Sequence, residues 1–189
     1  MVVAEAPNLT DSFDADKRRL TYDVDTDPTG GFARELLVSV GLRVEDVLFT
    51  NAVLCLPARK KGKHPVSARQ MELCRPWLAK LIEVADPLVV ITFGARALDA
   101  LGRLEEHGLT LRTGVGKLHP WRGRQILPLY HPGLLGWVTR NAARQFQDSA
   151  VLKHLLAEPY LHAAFSFRRE RQLPETMTGR PSTCSGVRR

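Results

Sequence analysis

Leu88-Val89-Val90-Ile91-Thr92-Phe93-Gly94 is the stretch on which the reading of the fold turns. The six residues before the glycine are apolar or β-branched without a break, the pattern of a central strand covered on both faces. Gly94 then lets the chain turn directly into a helix over Ala95–Leu101. A strand buried on both sides belongs to a parallel sheet, so its neighbours are sought among the other short apolar runs. Met1–Ala4, Val47–Val53 and Gln125–Tyr130 have that character, each feeding a loop marked by Pro or Gly.

Helical patterns occupy the intervals. From Gly30 to Val40, Phe32, Leu36, Leu37 and Val40 share one stripe, and Gly41 is placed to end the helix in a left-handed conformation. Ser67-Ala68-Arg69-Gln70 has the spacing of a capping box and opens a helix with Met71, Cys74, Leu78, Leu81 and Ile82 on one side, ending near Asp86-Pro87. Arg103–Gly123 is polar and punctuated by glycine, with a short strand expected around Leu109–Arg112. Asn141–Leu156 reads as one helix with Phe146, Ala150, Val151 and Leu155 inward. This alternation predicts an α/β protein, a three-layer α/β/α sandwich around a short parallel sheet.

At 189 residues the chain is expected to hold one domain over 1–160, followed at 161–189 by a basic tail poor in large apolar residues and expected to be disordered. No apolar run approaches membrane-spanning length, and Met1-Val2-Val3-Ala4 is too short for a signal peptide, so a cytoplasmic protein with no membrane partner is expected. The net charge of +7 is unevenly spread: residues 163–189 carry six Arg against two Glu, leaving only +3 on the preceding 162. Within that body the positive charge gathers at Arg59, Lys60, Lys61, Lys63 and Arg69, a basic loop suited to phosphates. Three cysteines in a cytoplasmic chain do not point to a structural disulfide.

Loops leaving the carboxyl ends of parallel strands converge on one crevice. Three of them here carry chemistry: Ala4-Glu5-Ala6-Pro7-Asn8, Thr50-Asn51-Ala52-Val53-Leu54-Cys55 and Tyr130-His131-Pro132-Gly133. They bring a carboxylate, a carboxamide and an imidazole together, a set able to break a bond by acid–base and electrostatic means without a metal. Asn is disfavoured inside strands, so Asn51 points to binding rather than packing. Asp11 is a weaker second acid, and His64 reads as a solvent-facing loop histidine.

Taken in order with Cys74-Arg75-Pro76 and Ile91-Thr92-Phe93-Gly94, these segments resemble the motifs of the uracil-DNA glycosylase superfamily over residues 1–157, most of all its branch that holds an iron–sulfur cluster. The resemblance implies a monomeric DNA-repair enzyme that flips uracil or a related deaminated base out of DNA and hydrolyses the N-glycosidic bond to leave an abasic site. It assigns catalysis to Glu5 and His131 and the substrate pocket to Ala6, Pro7, Asn8 and Asn51. DNA contact falls to Pro132, Gly133, Leu134 and Leu135, the two leucines wedging into the vacated stack. No cofactor is required for catalysis. Cys55 and Cys74 match two of the cluster ligands, so a 4Fe-4S cluster is expected only if further cysteines lie upstream of Met1, Cys184 being a poor substitute. Ala4 and Asn8 stand where that branch usually has Gly, Gly133 where Ser is common, and Thr29 where an aromatic stacks on the base. A catalytically weak DNA-binding relative of the same fold and a hydrolase of free nucleosides are the alternative readings.

Overall fold

The apolar runs pair into one sheet. A computed structural model describes residues 1–7, 28–57 and 65–157 of the chain. Its strands are β1 (Val2–Ala4), β2 (Phe49–Asn51), β3 (Val89–Phe93), β4 (His119–Trp121) and β5 (Arg124–Leu129), in the order β2-β1-β3-β5-β4. β1 runs parallel to both β2 and β3, and β3 parallel to β5, while β4 returns antiparallel on one edge. The strand expected over Val47–Val53 is shorter, but the N–H groups of Ala52 and Val53 still reach the carbonyls of Ala4 and Glu5 at 2.7 and 3.0 Å.

Helix α1 (Pro28–Ser39) joins β1 to β2, and α2 (Ala68–Ala85) joins β2 to β3. After β3 come α3 (Ala95–Gly102) and α4 (Leu111–Gly114); after β5 come α5 (Leu134–Thr139), α6 (Ala142–Ser149) and α7 (Val151–Ala157). The β1-to-β2 and β2-to-β3 connections cross the sheet in opposite directions, so right-handed crossovers put α1 and α2 on opposite faces. The packing agrees: α2 (Met71, Cys74, Leu78, Ile82) and α3 (Ala97, Leu98, Leu101) share a core with Val3, Val90 and Ile126. Val2, Ala4, Ile91, Phe93, Leu127 and Leu129 alternate with these and are buried on the other face. There α1 contributes Phe32, Leu36 and Leu37 and meets α6, which lies on β5. The three layers are those expected.

Local signals end the elements where the sequence placed them. Gly41 takes φ +84°, with Gly41 N–H donating to the Val38 carbonyl and Leu42 N–H to the Leu37 carbonyl, both at 3.0 Å, which satisfies the free carbonyls of α1. At the start of α2 the Ser67 hydroxyl accepts from Gln70 N–H, and the Gln70 side chain accepts from Ser67 N–H. Asp86, at φ +39°, closes the same helix ahead of Pro87.

Two expectations are corrected. No strand forms at Leu109–Arg112: the Thr110 hydroxyl accepts from Thr113 N–H at 3.3 Å and caps the single turn of α4, a local side-chain bond that competes with a ladder. The edge strand is instead β4, joined to β5 by Arg122 and Gly123 at φ +47° and +69°, a tight hairpin turn. Nor is Asn141–Leu156 one helix. Ala150 N–H reaches both Phe146 and Gln147 carbonyls and the Ser149 hydroxyl donates back to Phe146, tightening the chain between α6 and α7. Its inward face is polar, with Gln145, Asp148 and Ser149 buried beside Leu152, whereas Phe146 is half-buried against Phe32.

Met1–His154 form one compact unit; of a second, Leu155–Arg189, the described residues include only the end of α7. The tail at 161–189 lies outside the described residues. Among those residues no helix is long and apolar enough to cross a membrane. Replacing Ser67 by Ala removes the α2 cap and should lower unfolding free energy by about 1 kcal/mol, read as a lower urea midpoint at an unchanged denaturant slope.

Candidate functional site

The strand registers place the site. Ala4 pairs with Asn51 on one side, Val3 with Thr92 on the other, and Phe93 with Leu129. Asn51, Ala4, Phe93 and Leu129 therefore stand in one row at the carboxyl ends of four parallel strands, and the chain beyond them forms the rim. The chain leaves β1 toward α1 on one face of the sheet and leaves the adjacent β3 toward α3 on the other, which opens a crevice between β1 and β3. Glu5 leaves β1 at that crevice and Gly94 leaves β3.

The sequence-predicted residues assemble around it. Asn51 is 3% exposed at the end of β2, beside Ala4. Glu5 follows, half-buried, its carbonyl held by Val53 N–H. Ala6 and Pro7 are half-buried, and Ala6 packs on the α2 core. His131 follows β5, which lies two strand spacings from β1 on the far side of β3. Asn8, Asp11, Arg59, Lys60, Lys61, Lys63, His64 and Cys184 lie outside the described residues.

The loop carrying His131 is shaped by missing side chains. Gly94 sits at φ +92°, a conformation closed to other residues, and a Cβ there would be 3.6 Å from the His131 Cβ. Gly133 has ordinary backbone angles, but a Cβ on it would fall 2.9 Å from His131 Nδ1 and 3.3 Å from the Thr29 hydroxyl. Gly136 is tighter still, since a Cβ there would clash with the His131 carbonyl oxygen. Thr29, at the start of α1, thus stands beside this loop.

Electrostatically the key bond is from Gly133 N–H to His131 Nδ1, at 3.0 Å. A ring nitrogen that accepts cannot carry a proton, so the imidazole is neutral with its hydrogen on Nε2. Pro132 and Gly133 are buried, whereas Leu134 and Leu135 are 75% and 85% exposed on α5. Sequence reasoning missed Val138, 82% exposed on the same helix; its spacing of four from Leu134 was the available signal, once the segment is known to be helical.

Cys55 and Cys74 both lie against the α2 core, Cys74 buried within it and Cys55 half-buried at its side. Among the described residues no three His, Cys, Asp or Glu side chains gather as a metal site. The two thiolates among the described residues are fewer than the four that a 4Fe-4S cluster takes, so they do not fit it by themselves.

The model of the uracil DNA glycosylase superfamily matches residues 13–155. The chain is 30% identical over 108 residues to the type-4 uracil-DNA glycosylase of Archaeoglobus fulgidus, covering 54% of this chain and 53% of that protein. Against the proteins of the same name from Thermotoga maritima and Saccharolobus solfataricus it is 29% and 31% identical. Those matches cover 56% and 58% of this chain and 53% and 54% of theirs. The chain spans about half the length of the curated relatives it matches. The resemblance read from the motifs is borne out at the level of the superfamily. Glu5 precedes the matched span, so its place in the site rests on the strand register.

Substituting Gly133 by Ala should push the imidazole aside without straining the backbone. The ¹⁵N resonances of His131 should show the Nε2–H tautomer in the parent and lose that signature in Gly133→Ala; an unaltered spectrum would contradict the packing described.

Proposed function

This chain belongs to the uracil DNA glycosylase superfamily, and on that premise we propose that it removes uracil from DNA by hydrolysing the bond between the base and deoxyribose. The observation that carries the reading is the rim itself, with Glu5 and Asn51 on one side of the crevice and a neutral His131 across β3. Enzymes that act on a base in duplex DNA first extrude its nucleotide. As the glycosidic bond then stretches, positive charge grows on the sugar and negative charge on the uracil oxygen, so a fitted site sets an anion at one and a donor at the other.

Glu5 serves the cationic sugar, stabilising it and orienting the attacking water. His131 donates Nε2–H to the developing uracil oxyanion, a role for which a ring already neutral needs no proton loss. Water adds its hydroxyl to the sugar carbon, its proton ends on the departing base, and the products are an abasic site and free uracil. Asn51 both donates and accepts, so one carboxamide reads the adjacent carbonyl and N–H of uracil, while cytosine offers the reverse pattern. Leu134 and Leu135, solvent-exposed on α5, occupy the space the base leaves. The reading carries with it a monomer in the cytoplasm.

One observation favours a second reading, a DNA-binding relative with weak catalysis. Thr29 stands beside Gly133 at the edge of the site and offers no ring on which a base can stack. An excision assay separates the two, run with uracil-containing duplex and single-stranded oligonucleotides beside free nucleosides. Alkali-labile product from the oligonucleotides supports the glycosylase, tight binding without release the weak relative, and turnover of nucleosides alone a different hydrolase.

His131→Ala and Glu5→Ala should each slow single-turnover release by about a hundred- to a thousandfold with DNA affinity nearly unchanged, since both act on charge present only in the transition state. If both variants stay within about threefold of the parent, a difference of about 0.7 kcal/mol, the assigned roles are wrong. Asn51→Asp should weaken uracil excision more than DNA binding; an unchanged excision rate would remove Asn51 from the pocket.

A further inference from the structure

Arg140, just past the end of α5, donates to both carboxylate oxygens of Asp148 on α6, from Nε at 2.6 Å and from Nη2 at 2.5 Å. Asp148 is 7% exposed, and burying a carboxylate is costly unless it is paired and its geometry is good. The surroundings hold this pair in place from several sides. Buried Gln145 donates from Nε2 to the Arg140 carbonyl at 2.8 Å. The backbone of Gly116 packs on Asp148 so closely that a Cβ would lie 2.8 Å from Oδ1, and Gly116 N–H is bonded to the Pro128 carbonyl on β5.

The same pair reaches the catalytic loop. The Arg140 guanidinium is held above its usual value chiefly by the Asp148 hydrogen bond, with burial opposing. Arg140 N–H bonds the Gly136 carbonyl at 2.7 Å, and Gly136 is seated on the His131 carbonyl. Trp137, between them, meets Phe32 edge to face with ring centroids 5.0 Å apart. A six-residue helix presenting Leu134, Leu135 and Val138 to solvent is therefore anchored at both ends, although nothing apolar covers its outer face among the described residues.

We propose that the Arg140–Asp148 pair is a positioning clamp for α5, holding Leu134, Leu135 and Val138 as a rigid apolar ridge that is pressed into paired DNA. The proposal rests on the glycosylase reading for its consequence, but its physical content, an α5 held by the pair, is independent of activity. Neither residue touches the reacting atoms. The ridge matters where a base must be unstacked and unpaired, and matters little where no partner strand competes for the base. The clamp therefore governs excision from duplex more than from single strands.

Asp148→Asn keeps the shape of the side chain and removes its charge; Arg140→Lys keeps the charge and removes the two-pronged bond, and serves as well if the first variant folds poorly. Amide exchange at Gly136, Trp137 and Arg140 should quicken by about tenfold or more in both variants, with the α2 amides unchanged. Single-turnover excision of uracil from a duplex should fall by about ten- to a hundredfold, as expected when groups are misplaced by roughly an ångström, while the single-stranded rate and DNA affinity stay within about threefold. Unaltered exchange across α5 in both variants overturns the clamp. Equal losses on duplex and single strand overturn its role in opening the pair. A parent chain that releases uracil from neither overturns the glycosylase reading instead, and the exchange measurement still decides the clamp.

Discussion

β1 is three residues long and is hydrogen-bonded to a parallel neighbour on each side. Val2 N–H donates to the Leu48 carbonyl at 2.8 Å, Ile91 N–H to the Met1 carbonyl at 2.9 Å, and Ala52 N–H to the Ala4 carbonyl at 2.7 Å. Because side chains alternate faces with a period of two, a slip by one residue would exchange Val3 for Val2 or Ala4 against two different helical layers. It would also carry Glu5 out of step with Asn51. The burial of Val2, Val3 and Ala4 on both faces is what forbids that slip, and with it the rim of the crevice is set.

Opposite that rim the chain uses close backbone approach rather than side-chain packing. Gly133 and Gly136 bring another part of the chain to a distance that a Cβ would perturb, and both lie against His131, as does Gly94. Gly94 is required by its conformation, Gly133 and Gly136 by space. The imidazole is thus seated by steric exclusion, and its tautomer is set by one backbone N–H. Groups held in this way need little rearrangement as charge develops, which is where electrostatic stabilisation is most effective.

The face of α6 that might have been apolar is instead polar and buried. Gln145 and Asp148 turn inward to hold the carbonyl and guanidinium of Arg140, while the apolar side chains of α5 turn outward. Each choice is unfavourable in isolation, since buried polar groups and exposed leucines both cost free energy in water. Together they give a short helix a fixed orientation and an apolar outer surface, a combination suited to entering a base stack.

Where the signal was local, the sequence alone was sufficient. The unbroken run before Gly94, the Ser67–Gln70 spacing and Gly41 each report their own few residues, and β3, the α2 start and the α1 end lie where those signals put them. Glu5, Asn51 and His131 were legible as strand-end residues for the same reason, although which strands adjoin depends on pairing between segments far apart in the chain. Local signals failed where two weak preferences competed. Thr110 and Thr113 look β-branched and strand-like but satisfy a helix cap, and Ser149 and Ala150 break an otherwise continuous helical stripe. The Arg140–Asp148 pair, the exposure of Val138 and the seat of Gly136 on His131 were settled only in three dimensions. A charge, a valine and a glycine carry no mark of their partners in sequence, because those partners are defined by the sheet order and by the corner between α5 and α6.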